Sequence, residues 1–181
     1  MLPEPRQAQC MTEINILKGL RYSPEMFLNR MARSKKLQGI TCRHINTVYS
    51  LCWVFQFRIA IPVSRKTTRY AGYYAGFDES VLSPGKLSHL PAGELNSVED
   101  VCVLADKLTE GEALQKAWEY NRTAILRKYK SLYAAPVLED HVTERFYKPL
   151  YIFEFYNSAV DEKKYKVLDS LTGDLDDIRI T

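Results

Sequence analysis

Three groups of residues in this chain have chemistry beyond folding. Arg58, Arg65, Lys66 and Arg69 stand close to Tyr70, Tyr73 and Tyr74. Cations at that density neutralise phosphates and tyrosines stack on bases, so residues 58–74 read as a basic aromatic hairpin able to bind single-stranded nucleic acid. No zinc-finger, helix-turn-helix or RNP-like pattern accompanies it, and a basic hairpin tip is also an ordinary solvated turn. Glu139, Asp140, His141 and Glu144 form the second group, with ligand-type atoms close together. A catalytic zinc needs three protein ligands, usually including two nitrogens or sulfurs, and no His-x-x-x-His is present. A charged connector is the better reading, with no metal and no cofactor.

The third group is the cysteine–histidine pairs. Cys42 lies two residues from His44, and Cys52 or Cys102 would need a distant histidine. Nucleophilic catalysis also requires an orienting third group and an oxyanion hole, neither of which the sequence shows. Gly-x-Ser-x-Gly, a phosphate-binding glycine loop and His-Glu-x-x-His are all absent. The chain is therefore expected to be non-enzymatic. Asp78 and Asp169 recur at the ends of two similar stretches, where an Asp caps the following turn through its own side chain.

The elements that position these residues follow from local patterns. Ser23-Pro24 opens a helix carrying Phe27, Leu28, Met31 and Ala32, with Lys35 and Lys36 outward and Gly39 as its stop. Ile14 to Leu20 is a short helix or a strand. Residues from Thr47 to Val63 alternate as a strand, with Pro62 marking an end or an edge. Ser64 to Arg69 is the basic tip, and Tyr70 to Phe77 returns, Gly72 and Gly76 pointing to a bulge. Ser80 to Gly93 is a long loop. Val98 to Leu104 is a strand or short helix, and Thr109-Glu110-Gly111-Glu112 is a capping box opening a helix to about Leu132. Pro136 and Pro149 bracket the connector that holds His141. Leu150–Asn157 and Lys164–Asp169 are strands, and Leu171 to Asp174 is a turn.

Trp53-Val54-Phe55-Gln56-Phe57-Arg58 and Tyr151-Ile152-Phe153-Glu154-Phe155-Tyr156 resemble one another, and each leads into a second strand and an Asp-containing turn. This recurrence predicts an α+β fold of two related helix-plus-antiparallel-hairpin halves, with helices packed on antiparallel sheet. Residues 1–12 are a loose leader, 13–96 an N-terminal half and 97–181 a C-terminal half, with Met11 an alternative start to Met1. The first 96 residues hold 13 Lys or Arg against 6 Asp or Glu, the remainder 12 against 16. The basic half thus either docks on the acidic one or faces an acidic partner.

Thr109-Glu110-Gly111-Glu112-Ala113-Leu114-Gln115-Lys116-Ala117, with Tyr165-Lys166-Val167-Leu168-Asp169-Ser170-Leu171-Thr172-Gly173-Asp174, resembles the PepSY domain. The resemblance covers roughly the last 75 residues. It implies a small helix-on-sheet domain of a family associated with propeptides and with proposed regulation of secreted peptidases.

Scattered cysteines, no signal-peptide pattern and no run of 18 apolar residues make a cytoplasmic chain with no membrane partner the expectation. The leading function is a protein-interaction or regulatory module. Its alternatives are single-stranded nucleic-acid binding through 58–74 and a small-molecule or enzymatic site between the halves. The sequence leaves the oligomeric state open.

Overall fold

A computed structural model describes residues 10–34, 39–129 and 131–178. Strands dominate: β1 (Met11–Leu17), β2 (Ile40–Ser64), β3 (Thr67–Asp78), β4 (Ser83–Leu87), β5 (Gly93–Glu99), β6 (Val137–Asn157), β7 (Glu162–Asp169) and β8 (Leu175–Asp177). Two α-helices, α1 (Pro24–Ala32) and α2 (Glu110–Lys128), and a single 3-10 turn at Asp100–Cys102 complete the described chain. The strands are hydrogen-bonded in the order β4-β3-β2-β6-β1-β5, with β7 on β6 and β8 on β7.

The expected α+β fold of two helix-plus-hairpin halves is therefore corrected to a predominantly β fold built on one mixed eight-stranded sheet. Two segments account for the difference. The connector between Pro136 and Pro149 is strand, making β6 21 residues long. Its charges hid an alternation in which Leu138, Phe146 and Lys148 turn inward. The Ser80–Gly93 loop contains β4, whose Pro84 is tolerated because a strand at the end of a sheet has an unpaired side. The expected bulge is also elsewhere: register runs unbroken past Gly72 and Gly76 and shifts between Pro62 and Ser64.

Both helices start where the sequence indicates. Ser23 accepts from the Met26 N–H at 3.3 Å, and Pro24 fills the first position. Thr109 and Glu112 complete the capping box, Glu112 N–H to Thr109 Oγ1 at 3.4 Å and Thr109 N–H to Glu112 Oε2 at 2.8 Å. Those hydrogen bonds from Thr109 hold the Glu112 carboxyl below its usual range. Helix α1 ends at Ala32; positions 35–38, assigned to it from sequence, lie outside the described residues, as do residues 1–9 of the expected leader.

The chain packs as two compact units, each discontinuous in sequence. The first takes residues up to Tyr49, Glu94–Leu104 and Lys148–Thr181; the second takes Ser50–Gly93 and Ala105–Tyr147. In the second unit Trp53, Phe55 and Phe57 stack along one face of β2, with centroid spacings of 6.5 and 5.9 Å. Across the hairpin, Phe77, Ala75 and Tyr73 pair with these three and share their face. Helix α2 joins this core through Ala113, Ala117 and Ile125, and Trp118 meets Phe57 edge-on at 5.9 Å. The two alanines carry only a methyl each, which lets the helix backbone sit close to the rings.

In the first unit the row is Tyr151, Phe153 and Phe155 on β6, with Leu168 of β7. Here α1 supplies the cover: Phe27 lies 4.6 Å from Phe153, with Leu28 and Met31 beside it. The element order strand, helix, long strand, strand, short strand thus occurs twice along the chain. Each helix, however, packs with the hairpin of the other occurrence. The helix and hairpin that carry the PepSY resemblance, α2 and β6–β7, accordingly contribute to different units.

Residues 97–181 expressed alone should fail to unfold cooperatively, because α2 then lacks Phe55, Phe57, Ile59 and Phe77. Adding residues 1–96 should restore a cooperative urea transition. A sigmoidal transition from the fragment by itself would contradict the crossed packing.

Candidate functional site

The hairpin residues singled out from sequence are distributed over two faces of β2 and β3. Arg58 pairs with Gly72, Gln56 with Tyr74 and Ala60 with Tyr70, so Arg58, Tyr70 and Tyr74 share the outer face. Tyr73 lies opposite Phe57 and Arg69 opposite Ile61, on the core-facing side. Arg65 and Lys66 form the exposed turn. The Arg58 guanidinium sits 5.7 Å from the Tyr70 ring centroid and 3.7 Å from Glu139. Arg65 sits 6.0 Å from the ring of Tyr133, whose N–H donates to the Pro62 carbonyl at 3.1 Å. Tyr73 and Tyr129 pack against the same core, and burial first, then the neighbouring Tyr129, pushes the Tyr73 hydroxyl above its ordinary pKa.

The other candidates take structural positions. Glu139 faces Arg58, and Asp140 accepts from the His141 N–H at 2.8 Å within β6. Among the described residues no cluster of three His, Cys, Asp or Glu has the geometry to hold a metal ion. His44 contacts Thr47 at 3.1 Å and packs on the rings of Tyr151 and Phe153. Burial pushes the Cys42 thiol up to about 11, which keeps it protonated and poorly nucleophilic near neutrality. Asp78 accepts from the Ser80 N–H at 2.9 Å, and Asp169 from those of Leu171 and Thr172 at 2.8 and 3.1 Å. Both aspartates cap the turn that follows their strand.

Two buried charges escaped the sequence reading. In the second unit Glu79 is 2% exposed and accepts from the Trp53 indole at 2.8 Å and the Lys107 N–H at 2.7 Å. Beside it, Arg145 lies 5.0 Å from the Trp53 ring and binds Asp106 at 2.6 Å and the Tyr147 hydroxyl at 3.1 Å. In the first unit Lys148 is fully buried and ion-paired to Asp169. Burial by itself would raise the Asp169 pKa. The hydrogen bond from Lys148, with those from Leu171 and Thr172, outweighs it and brings the carboxyl below its usual range. Glu154 is also held low, by Arg43 first and then Lys163 and Tyr165. No sequence pattern marks Glu79 or Lys148, since each gains its partner from a distant segment.

Surface hollows are open and mixed in character. One of about 500 Å³ lies between Leu82–Pro84 and the exposed face of α2 at Lys116, Tyr120 and Arg127. Another, of about 260 Å³, is lined by Met31, Ile40, Phe155 and Leu175. The lysines at its rim are engaged, Lys164 by Glu162 at 3.4 Å and Lys166 by Asp177 at 2.7 Å. Neither hollow gathers converging polar groups about a reacting centre.

One open edge of the sheet is β5. It ends the strand order with β1 as its only strand neighbour among the described residues. Leu95 is 72% exposed, and the Asn96 side chain donates to the Glu94 carbonyl at 3.1 Å. Strand β4 ends the order on the other side, but it is shorter and carries Pro84 and Lys86, features that discourage further pairing. The chain was compared with family models, curated proteins and solved structures, and none of them matches. Among the described residues no helix is long and apolar enough to cross a membrane.

Asp169→Asn should cost about 3–5 kcal/mol, because it strips a buried ammonium of its carboxylate. Lys148→Met combined with Asp169→Asn should recover part of that loss in urea titrations. The sign with pH follows from the depressed Asp169 pKa. Its contribution is full above the unfolded value near 3.8 and fades as pH falls through the lower folded one. Asp169→Asn should therefore flatten the acid limb of the stability profile.

Proposed function

We propose that this chain is a non-enzymatic protein-interaction module that captures an extended partner segment by strand addition along β5. The supporting observation is the open edge: seven residues without proline, at the end of the sheet, with Leu95 outward. Main-chain hydrogen bonds would supply affinity, and alternate side chains would supply selectivity. Glu99 and Asp100 lie at the end of this edge and Glu94, paired with Lys18 at 3.4 Å, near its start, so a partner segment bearing Lys or Arg suits its acidic balance. The PepSY resemblance points the same way, since that family is associated with propeptides and peptidase regulation. The buried carboxylates support the non-enzymatic reading: Glu79, Glu154 and Asp169 all hold internal partners. We place the chain in the cytoplasm, on the support of the free thiols at Cys10, Cys42 and Cys102.

Panning a random twelve-residue peptide library on the full chain should enrich β-branched, cationic sequences. Addition of a selected peptide should slow amide exchange across residues 94–98. The Asp100 N–H donates to the Cys10 carbonyl on the β1 side, so by strand alternation the Ser97 N–H faces the open side. Ser97→Pro should therefore weaken binding about tenfold, as expected for losing one or two backbone hydrogen bonds. Failure to enrich any sequence, or binders indifferent to the β5 substitution, would sink the reading. Turnover of a small molecule in an activity screen would replace it with an enzymatic one.

A further inference from the structure

The basic turn is joined in the second unit by a second basic segment that lies far from it in sequence. The C-terminal end of α2 and the residues after it pack on the distal part of the β2–β3 hairpin. Tyr129 and Tyr73 pack against the same core, and the Tyr133 N–H donates to the carbonyl of Pro62. This brings Tyr133 to the end of the hairpin that carries Arg65, Lys66 and Arg69, with Lys128 on the same segment, over the Tyr129 ring at the end of α2. All four cations are exposed, and none has a carboxylate partner among the described residues. Some exposed cations elsewhere are paired, as Lys18 is with Glu94 and Lys163 with Glu154.

Aromatic rings accompany these cations. Arg65 stands over Tyr133, Lys128 over Tyr129 and Arg58 over Tyr70. Tyr70 and Tyr133 remain 61% and 59% exposed, so each ring keeps free surface while a guanidinium backs it. Unneutralised cations beside open tyrosine faces form the pairing that binds unstacked nucleotides: charge for the phosphates, π surface for the bases.

We propose that this end of the second unit binds single-stranded nucleic acid. Arg65, Lys66, Arg69 and Lys128 contact phosphates, and Tyr70 and Tyr133 stack on bases. A duplex fits less well, because its bases are already stacked and no helix stands free here to enter a groove. The inference is independent of the β5 edge: it uses other residues, in the other unit, and Ser97→Pro should leave it untouched.

Fluorescence anisotropy of a labelled fifteen-nucleotide poly(U) or poly(dT) strand, titrated with the full chain from 20 to 200 mM salt, is the test. Four phosphate contacts predict a log–log slope of about −3. Replacing Arg65, Lys66, Arg69 and Lys128 with Ala should abolish most of that slope. Arg65→Lys with Arg69→Lys should retain it, which separates loss of charge from loss of fold. Tyr70→Leu and Tyr133→Leu should each weaken binding about tenfold at fixed salt. No binding at 20 mM salt overturns the proposal, and so does binding indifferent to both tyrosines, which would be unspecific attraction to a polyanion. Tighter binding to vesicles containing phosphatidylserine than to either strand would overturn it in favour of a membrane surface.

Discussion

Burial of two alternating aromatic rows sets the conditions under which the rest of the structure forms. Trp53, Phe55 and Phe57 lie on one face of β2, and Tyr151, Phe153 and Phe155 on one face of β6. Rings of that size on a sheet face need a second layer, because leaving one exposed forfeits about 1.5–3 kcal/mol. Each row obtains that layer from a helix belonging to the other stretch of the chain. The two occurrences of the element order are thereby held to one another by their cores. Strands β2 and β6 contribute residues to both units, which accounts for lengths of 25 and 21 residues.

Around these rows the polar groups are closed on themselves. Glu79 ties the end of β3 to the Trp53 indole and to the backbone of Lys107 ahead of α2. Asp169 performs two tasks in the other unit, capping the turn after β7 and receiving the buried Lys148 ammonium. Gly173 in that turn adopts φ +78, and a Cβ there would approach the Tyr22 ring to 2.5 Å. Tyr22 and Arg21 meanwhile donate their N–H groups to Ser170. A carboxylate so engaged has little freedom to transfer protons, and this is why the interaction readings look to edges and to unpaired cations.

Much of the local structure was legible in sequence, because its determinants are local. Ser23-Pro24 and Thr109 to Glu112 mark helix starts through groups within a few residues of each other, and alternation marks the hydrophobic core of β2. The turn-capping roles of Asp78 and Asp169 likewise depend only on neighbouring residues. What escaped depends on distant partners. The charge-rich start of β6 becomes strand through pairing, and β4 is hidden by Pro84-Gly85. Lys148 and Glu79 give no local sign of burial. The basic hairpin was visible, but Tyr133 reaches its end only through the packing of the segment that follows α2. Most consequential was the choice of partner: matching helix to hairpin within each stretch is the natural reading, and no local pattern reveals the exchange.

That exchange has a cost in time during synthesis. Helix α1 is made early, yet the residues that cover Phe27, Leu28 and Met31 extend to Leu168 near the end of the chain. At about 5–20 residues per second, the ribosome needs roughly ten to thirty seconds to supply them. Folding from the N-terminus outward is therefore closed to this protein. Its first helix waits with its apolar stripe uncovered, in the interval when a nascent chain is most open to chaperones and to misassembly.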